Sequence, residues 1–320
     1  MTNGYFYYLG NIATFAGQRH FTGWGRKQTG RFALWCHRRF GGSLTLLEDG
    51  FIRSLGLGVN GSPSFSIVED DVGIYYDATA PSRLENILNT YNFSADNNLM
   101  VTAREAMALI VKHKISKYNN ATDVPEGYFW NRFPIYPIEQ VKPVMTEAKR
   151  VLIIAQTAGD ASLIYGLGDT YTTDQMIDAA ITENPNAEIY LKIHPDVLSG
   201  KKHSDIDIDS VHQKCIIIDQ NFNPISLLEY FDIVYTKTSQ MGFEALLLGK
   251  KCICFGVPFY SGWGITDDRV KCSRRDKVRS VEEVFAAAYI LYTRYYNPYM
   301  KRPSDILDTI YEITKQRLNP

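Results

Sequence analysis

Four short stretches hold side chains whose types and spacing suit moving a group off a phosphorylated donor. Lys192-Ile193-His194-Pro195 sets a lysine and a histidine on one face of a strand end. A cation and a proton donor there would stabilise negative charge on a departing phosphate. Thr236-Lys237-Thr238-Ser239-Gln240-Met241-Gly242-Phe243-Glu244 lies between a strand and a helix, where hydroxyls and free backbone N–H groups bind anions with help from the helix dipole. Glu244, one turn further, is placed to bond a ribose hydroxyl. A plainer role is open to the same segment, because Thr238 or Ser239 also makes a good helix cap. Asp160 sits in the small polar loop Gln156-Thr157-Ala158-Gly159-Asp160-Ala161-Ser162. It can serve as nucleophile, general base or Asx-turn acceptor. Glu48-Asp49 ends another strand and offers the second carboxylate that glycosyl chemistry uses, or else pairs with Arg53.

Those residues need a frame. The run 151–155 reads as a strand buried on both faces, followed by the polar loop, a helix over 172–184 and a strand over 187–194. In such βαβ units ligands bind beyond the carboxyl ends of the strands, so Asp160 is expected to meet Lys192 and His194. Strands over 215–219, 233–236 and 251–255 alternate with helices over 224–230 and 242–248, which predicts a parallel, doubly wound sheet.

Residues 1–145 read as a separate unit. It holds strands over 5–8 and 44–47, a basic glycine-flanked loop at 23–27 and a helix over 32–40. A hairpin pairs 65–69 with 72–76, one helix is opened by Ser82 in capping-box form, and another covers 103–118. The stretch 119–142, with Pro125, Gly127, Pro134 and Pro137, reads as a linker. The donor-binding unit then spans 146–270. Residues 271–320 supply helices, including a long one over 281–296 that is apolar and aromatic on much of its surface. It either packs across the two units or touches a membrane.

Bulk properties narrow the function. Across 320 residues the formal net charge is −1, so no global field draws the chain to nucleic acid or acidic lipid. Five cysteines without CxxC spacing suit reduced thiols in the cytoplasm. The first residues lack the pattern of a signal peptide, and no run approaches a membrane span. The protein is therefore expected to be cytoplasmic, and peripheral to a membrane at most. His203, His212 and Cys215 lack ligand spacing, so neither a metal nor a cofactor is expected. The absence of GxGxxG and P-loop patterns argues against dinucleotide and ATP enzymes.

Seven stretches taken together carry a resemblance. They are Trp24-Gly25-Arg26-Lys27, Glu48-Asp49-Gly50-Phe51-Ile52-Arg53-Ser54, Gly73-Ile74-Tyr75-Tyr76-Asp77, Gln156-x-x-x-Asp160-x-Ser162, Lys192-x-His194-Pro195, Thr238-Ser239-x-x-Gly242-Phe243-Glu244-Ala245-Leu246 and Gly256-x-Pro258-Phe259-Tyr260-x-Gly262-Trp263-Gly264. In this order they resemble the capsule-polysaccharide β-Kdo transferases of the KpsC type. The resemblance implies a GT-B glycosyltransferase, with two Rossmann-like domains facing a cleft, that transfers Kdo from CMP-Kdo with retention. The acceptor implied is a Kdo-terminated oligosaccharide or a phosphatidylglycerol-type glycolipid, with capsule assembly proteins as further partners. It makes Asp160 the nucleophile and Glu48 the acid/base. Gln156, Lys192, His194, Thr238 and Ser239 fall on the CMP side and Glu244 on the ribose. Asp49 and Ser162 line the substrate site, where Arg53 or Lys27 pairs with the Kdo carboxylate. Enzymes of this type carry two such modules in tandem; the match here covers one, over about residues 20–270. Two rival readings stay open: an inverting CMP-sugar transferase with Asp160 as base, and a non-catalytic glycan- or nucleotide-binding subunit.

Overall fold

The computed structural model describes residues 19–58, 61–129, 149–157, 159–193, 211 and 213–318. Strand β1 (His20–Trp24) runs into helix α1 (Gln28–Phe40), which returns the chain to β2 (Ser43–Asp49), parallel to β1. Strand β3 (Ser66–Asp70) then pairs antiparallel with β2, and helices α2 (Arg83–Thr90) and α3 (Asn97–His113) follow. Ser82 caps α2 through the Glu85 amide, and Asp96 caps α3 through that of Leu99, so α3 starts and stops earlier than its apolar spacing predicts.

The second half builds one parallel sheet. Strand β4 (Arg150–Ile154) is followed by helices α4 (Ala161–Tyr165) and α5 (Thr173–Glu183) and then by β5 (Glu188–Lys192). Strand β6 (Ile216–Ile218), helix α6 (Pro224–Leu228), β7 (Ile233–Thr236), α7 (Gln240–Leu247), β8 (Lys251–Cys254) and β9 (Asp267–Asp268) complete it. The sheet order is β6-β5-β4-β7-β8-β9, every pair parallel. The chain thus leaves β4 in one direction and returns to its other side with β7. That reversal is the switch point at which doubly wound sheets bind ligands. The four apolar residues of β4 are all buried, as a strand covered on both faces requires.

Two expectations fail, each for a local reason. The hairpin 65–69/72–76 does not form, because Asp70 folds the chain back on itself. Its Oδ1 accepts from the amides of Val72 and Gly73 at 2.9 and 2.8 Å, and its Oδ2 from the Arg83 amide and the Tyr292 hydroxyl at 2.9 and 2.7 Å. The long helix over 281–296 is instead helix α8 (Val281–Phe285), a π-helical stretch over 286–291 and strand β10 (Thr293–Asn297). Thr-Arg-Tyr-Tyr suits a pleated surface better than a helix. Strand β10 joins β3, strand β11 (Arg302–Ser304) joins β10, and helix α9 (Ile306–Leu318) ends the described chain.

The first sheet, of order β1-β2-β3-β10-β11, is therefore mixed, and the last fifty residues supply strands as well as helices to it. Tyr289 and Tyr292 are buried at 2% and 0% exposure, so much of the aromatic surface of 281–296 packs inside the protein. One hydrophobic core joins the units. Phe51, next to the Glu48-Asp49 pair, packs its ring against Tyr75, Phe259 and Tyr289 with centroids 4.7–4.9 Å apart. Among the described residues no helix is long and apolar enough to cross a membrane. The strand expected at 5–8 lies outside the described residues.

Candidate active site

The switch point is wired by side chains. Gln156, two residues past β4, accepts from the Thr238 amide at 2.7 Å and donates to the Thr238 hydroxyl at 2.9 Å. The Ser162 hydroxyl meets the same Thr238 Oγ1 at 3.0 Å, and the Ser162 amide donates to Asp160 Oδ1 at 2.9 Å. Four of the expected residues, Gln156, Asp160, Ser162 and Thr238, thus form one connected group where β4 and β7 end side by side. Asp160 caps α4 and is exposed, which leaves its outer oxygen free to face a ligand. The plainer cap role and the chemical one are compatible in this geometry.

Glu48 comes from the other sheet, at the end of β2. Its Oε1 accepts from the Trp24 indole at 2.9 Å and from the Asp49 amide at 3.2 Å. Burial pushes the carboxyl above its ordinary range. The Asp49 amide, Lys117, Lys27 and Trp24 pull it back in that order. Gly25 lets the β1–α1 loop run against it: at φ +40°, a Cβ there would stand 2.7 Å from Glu48 Oε2 and collide with the Tyr76 hydroxyl.

The two halves meet at Tyr75. Its half-buried side chain holds the phenol far above its ordinary range, first by desolvation and then through Glu48, Tyr76, Asp49 and Asp160. Charges from both sheets, Glu48 and Asp160, thus push this one hydroxyl in the same direction. Behind them the domains are clamped. Arg26 pairs with Asp77 and lays its guanidinium 5.4 Å over the ring of Tyr165 at the end of α4, while the Ala78 amide donates to the Tyr165 carbonyl at 2.9 Å. Gln240 donates to the Phe51 carbonyl at 2.8 Å.

Other expected residues are placed differently. Arg53 is held within its own loop, bonded to Asp49 Oδ1 at 2.9 Å, Ser54 Oγ at 2.9 Å and the Ser62 carbonyl at 3.2 Å. That salt bridge is the plainer reading of Asp49 and Arg53, and it leaves the exposed Lys27, 5.7 Å from the Trp24 ring, as the more available cation. Ser239 caps α7 by accepting from the Met241 amide at 3.3 Å.

Glu244 lies inside the fold. It is 2% exposed and its Oε1 accepts from the Ser116 hydroxyl at 2.6 Å, in the segment that crosses between the units. Its Oε2 is buried without a hydrogen-bond partner among the described residues. Burial raises the Glu244 carboxyl to about 7, against the pull of Ser116, Gln240 and Lys117.

Lys192 donates to the Gln220 carbonyl at 3.3 Å, on the β6 side of the sheet and one strand removed from Gln156. Burial lowers its ammonium below the usual lysine range, with Asp219 opposing. His194 lies outside the described residues. Trp263, between Gly262 and Gly264, is fully buried and its indole donates to the Phe259 carbonyl at 3.0 Å.

Trp24, Arg26, Tyr75 and Tyr76 enter the site without having been singled out one by one, although each lies in a stretch that carried the resemblance. Lys117 had no local signal. It follows a helix, and only the fold brings it to Glu48 and Glu244.

A mixed sheet and a doubly wound parallel sheet that meet at one carboxylate-lined site make a GT-B-type fold. The chain belongs to the capsule polysaccharide biosynthesis protein family, which matches residues 22–295. It is 46% identical to the β-Kdo 2,4 transferase structure of Thermosulfurimonas dismutans KpsC, at a TM-score of 0.79 over 92% of this chain and 86% of that one. The β-Kdo 2,7 transferase structure of the same protein is 29% identical, at a TM-score of 0.70 over 94% and 86%. The capsule polysaccharide modification protein LipA of Neisseria meningitidis serogroup A is 43% identical over 281 residues, which make up 85% of this chain and 38% of LipA. The lipopolysaccharide-processing protein LpsZ of Rhizobium meliloti is 40% identical over 78% of this chain and 53% of its own length. The chain thus spans about two fifths to one half of the length of these two relatives.

Proposed function

We propose that this chain transfers Kdo from CMP-Kdo to a Kdo-terminated or glycolipid acceptor in capsule synthesis, with retention of configuration. The observation that carries the reading is a carboxylate from each half, Glu48 at the end of β2 and Asp160 at the switch point, with the halves held together by Arg26, which pairs with Asp77 and lies over the ring of Tyr165. The names of the two KpsC structures support the donor sugar, and the 2,4 enzyme is the nearer of the two in sequence.

In the first step Asp160 Oδ attacks the anomeric carbon as the bond to the CMP phosphate breaks, and CMP leaves with the electron pair. Lys192 and His194 offset the charge on that phosphate, and the hydroxyls of Thr238 and Ser162 line the site. In the second step the acceptor oxygen attacks the same carbon, Glu48 takes its proton and the Asp160 carboxylate departs. Two inversions at one carbon give retention. The raised Glu48 carboxyl makes its ionised form a stronger base toward the acceptor hydroxyl. No metal takes part in this scheme.

Incubation with CMP-Kdo and a synthetic Kdo-terminated acceptor tests the reading, followed by mass and NMR analysis. One added β-linked Kdo is expected. An α-linked product would favour the inverting reading with Asp160 as base, and CMP binding without turnover would favour a binding subunit.

A further inference from the structure

Helix α1 carries a second surface that the transfer reading does not use. Its inner face buries Gly30, Ala33, Leu34 and Cys36 against the first sheet. Its outer face exposes Phe32, Trp35 and Phe40 at 52%, 55% and 47%. These rings touch one another: Phe32 stacks on Trp35 with centroids 5.9 Å apart, and Phe40 meets Trp35 edge-on at 5.7 Å. Exposing so much contiguous aromatic surface is unusual for a solvated helix and marks a contact site.

Charge identifies the partner. No aspartate or glutamate precedes Glu48 in the chain, although the whole molecule is at −1. Arg31, Arg38 and Arg39 flank the rings on the same outer face, and the Arg19 and Arg39 guanidinium groups each lie 5.7 Å from the Phe40 ring. A helix with tryptophan and phenylalanine between arginines, and no acid, fits the headgroup layer of an anionic membrane. Rings sit there at the acyl boundary while guanidinium groups meet phosphates. A second copy of the chain fits poorly, because a two-fold contact would set these arginines against themselves.

We propose that α1 seats this protein on an anionic phospholipid surface through Phe32, Trp35 and Phe40, with Arg31, Arg38 and Arg39 on the headgroups. The inference does not depend on the donor or the reaction. The loop that opens α1 also holds Trp24 against Glu48, so a seated helix would bring the cleft to the lipid surface.

Sedimentation of the full chain with vesicles tests this. Equimolar phosphatidylglycerol and phosphatidylcholine vesicles are expected to carry the protein down, and added salt to release it. Phosphatidylcholine alone should bind on the order of tenfold more weakly. The double variants F32S/W35S and R38E/R39E should each lose binding by roughly tenfold while keeping native thermal melts. In the unmodified chain, lipid brominated on its acyl chains should quench tryptophan emission, and W35F should remove most of that quenching. Equal binding to both vesicle types would overturn the proposal. So would unchanged binding by the variants, quenching that survives W35F, or a concentration-dependent dimer that W35F abolishes.

Discussion

Gln156 and Thr238 bond each other twice across the switch point of the parallel sheet, amide oxygen to backbone N–H at 2.7 Å and amide nitrogen to hydroxyl at 2.9 Å. Only a carboxamide supplies both a donor and an acceptor in that geometry. The pair fixes the direction of the Thr238 hydroxyl, which also meets Ser162, two residues from Asp160.

Gln156→Glu keeps the acceptor and loses the donor, and it adds a negative charge beside the place proposed for a phosphate. Each neutral hydrogen bond is worth about 1 kcal/mol, so the thermal melt should move little. The donor KM should rise and kcat/KM fall by one to two orders of magnitude, on the scale of a lost oxyanion-site donor. Steady-state kinetics with varied CMP-Kdo separates this from misfolding.

Asp160→Asn retains an oxygen that caps α4, and asparagine caps as well as aspartate does. Stability should stay within about 1 kcal/mol of the parent. Turnover should fall by roughly three orders of magnitude or more, because an amide oxygen is a poor nucleophile. Intact-mass spectrometry of the parent chain, quenched during turnover with CMP-Kdo, should show an added Kdo that the variant lacks. A β-linked product formed at near-parental rate by the variant would remove Asp160 from the mechanism.

Lys117 acts on Glu48 more strongly than Lys27 does, and it holds that carboxyl below where burial alone would put it. Removing the charge in Lys117→Met should let the Glu48 carboxyl rise further. Glu48 must be ionised to take a proton, so the acid limb of the rate profile should move to higher pH. Rates measured against pH on both proteins check the direction. An acid limb that stays in place would mean that Glu48 is not the group titrating.

Glu244 offers a stability test of the opposite kind. Its folded value, raised from 4.5 to about 7, favours the protonated form, so its contribution is complete below 4.5 and is lost as pH rises through about 7. The ionised carboxylate, buried at the Ser116 contact, would cost on the order of 3 kcal/mol above that point. Glu244→Gln should therefore narrow the loss of thermal stability between roughly pH 5 and pH 8. Melting curves of both proteins across that range decide it. Gln240 and the Tyr260 and Tyr289 hydroxyls face the same pocket and stay neutral throughout, so they do not mask the effect.

The parallel sheet was legible from 151–155, 187–194, 233–236 and 251–255, because a strand covered on both faces must be apolar throughout. The polar residues that follow these runs had to lie at one edge, and Gln156, Asp160 and Thr238 do lie there. The first sheet was harder. Its strand β10 comes from more than two hundred residues beyond β3, and no local pattern announces such a pairing.

Roles that depend on what surrounds a side chain were equally out of reach. Glu244 and Lys192 carry the residue types expected at a nucleotide site, and only the fold shows that the one also accepts from Ser116 and the other also donates to Gln220. Lys117 lies in no motif and still acts on both Glu48 and Glu244. Residue type and strand-end position are local properties, written in the chain. Desolvation, charge at a distance and the partner a hydroxyl finds are properties of the assembled fold, so only the tertiary structure could decide them.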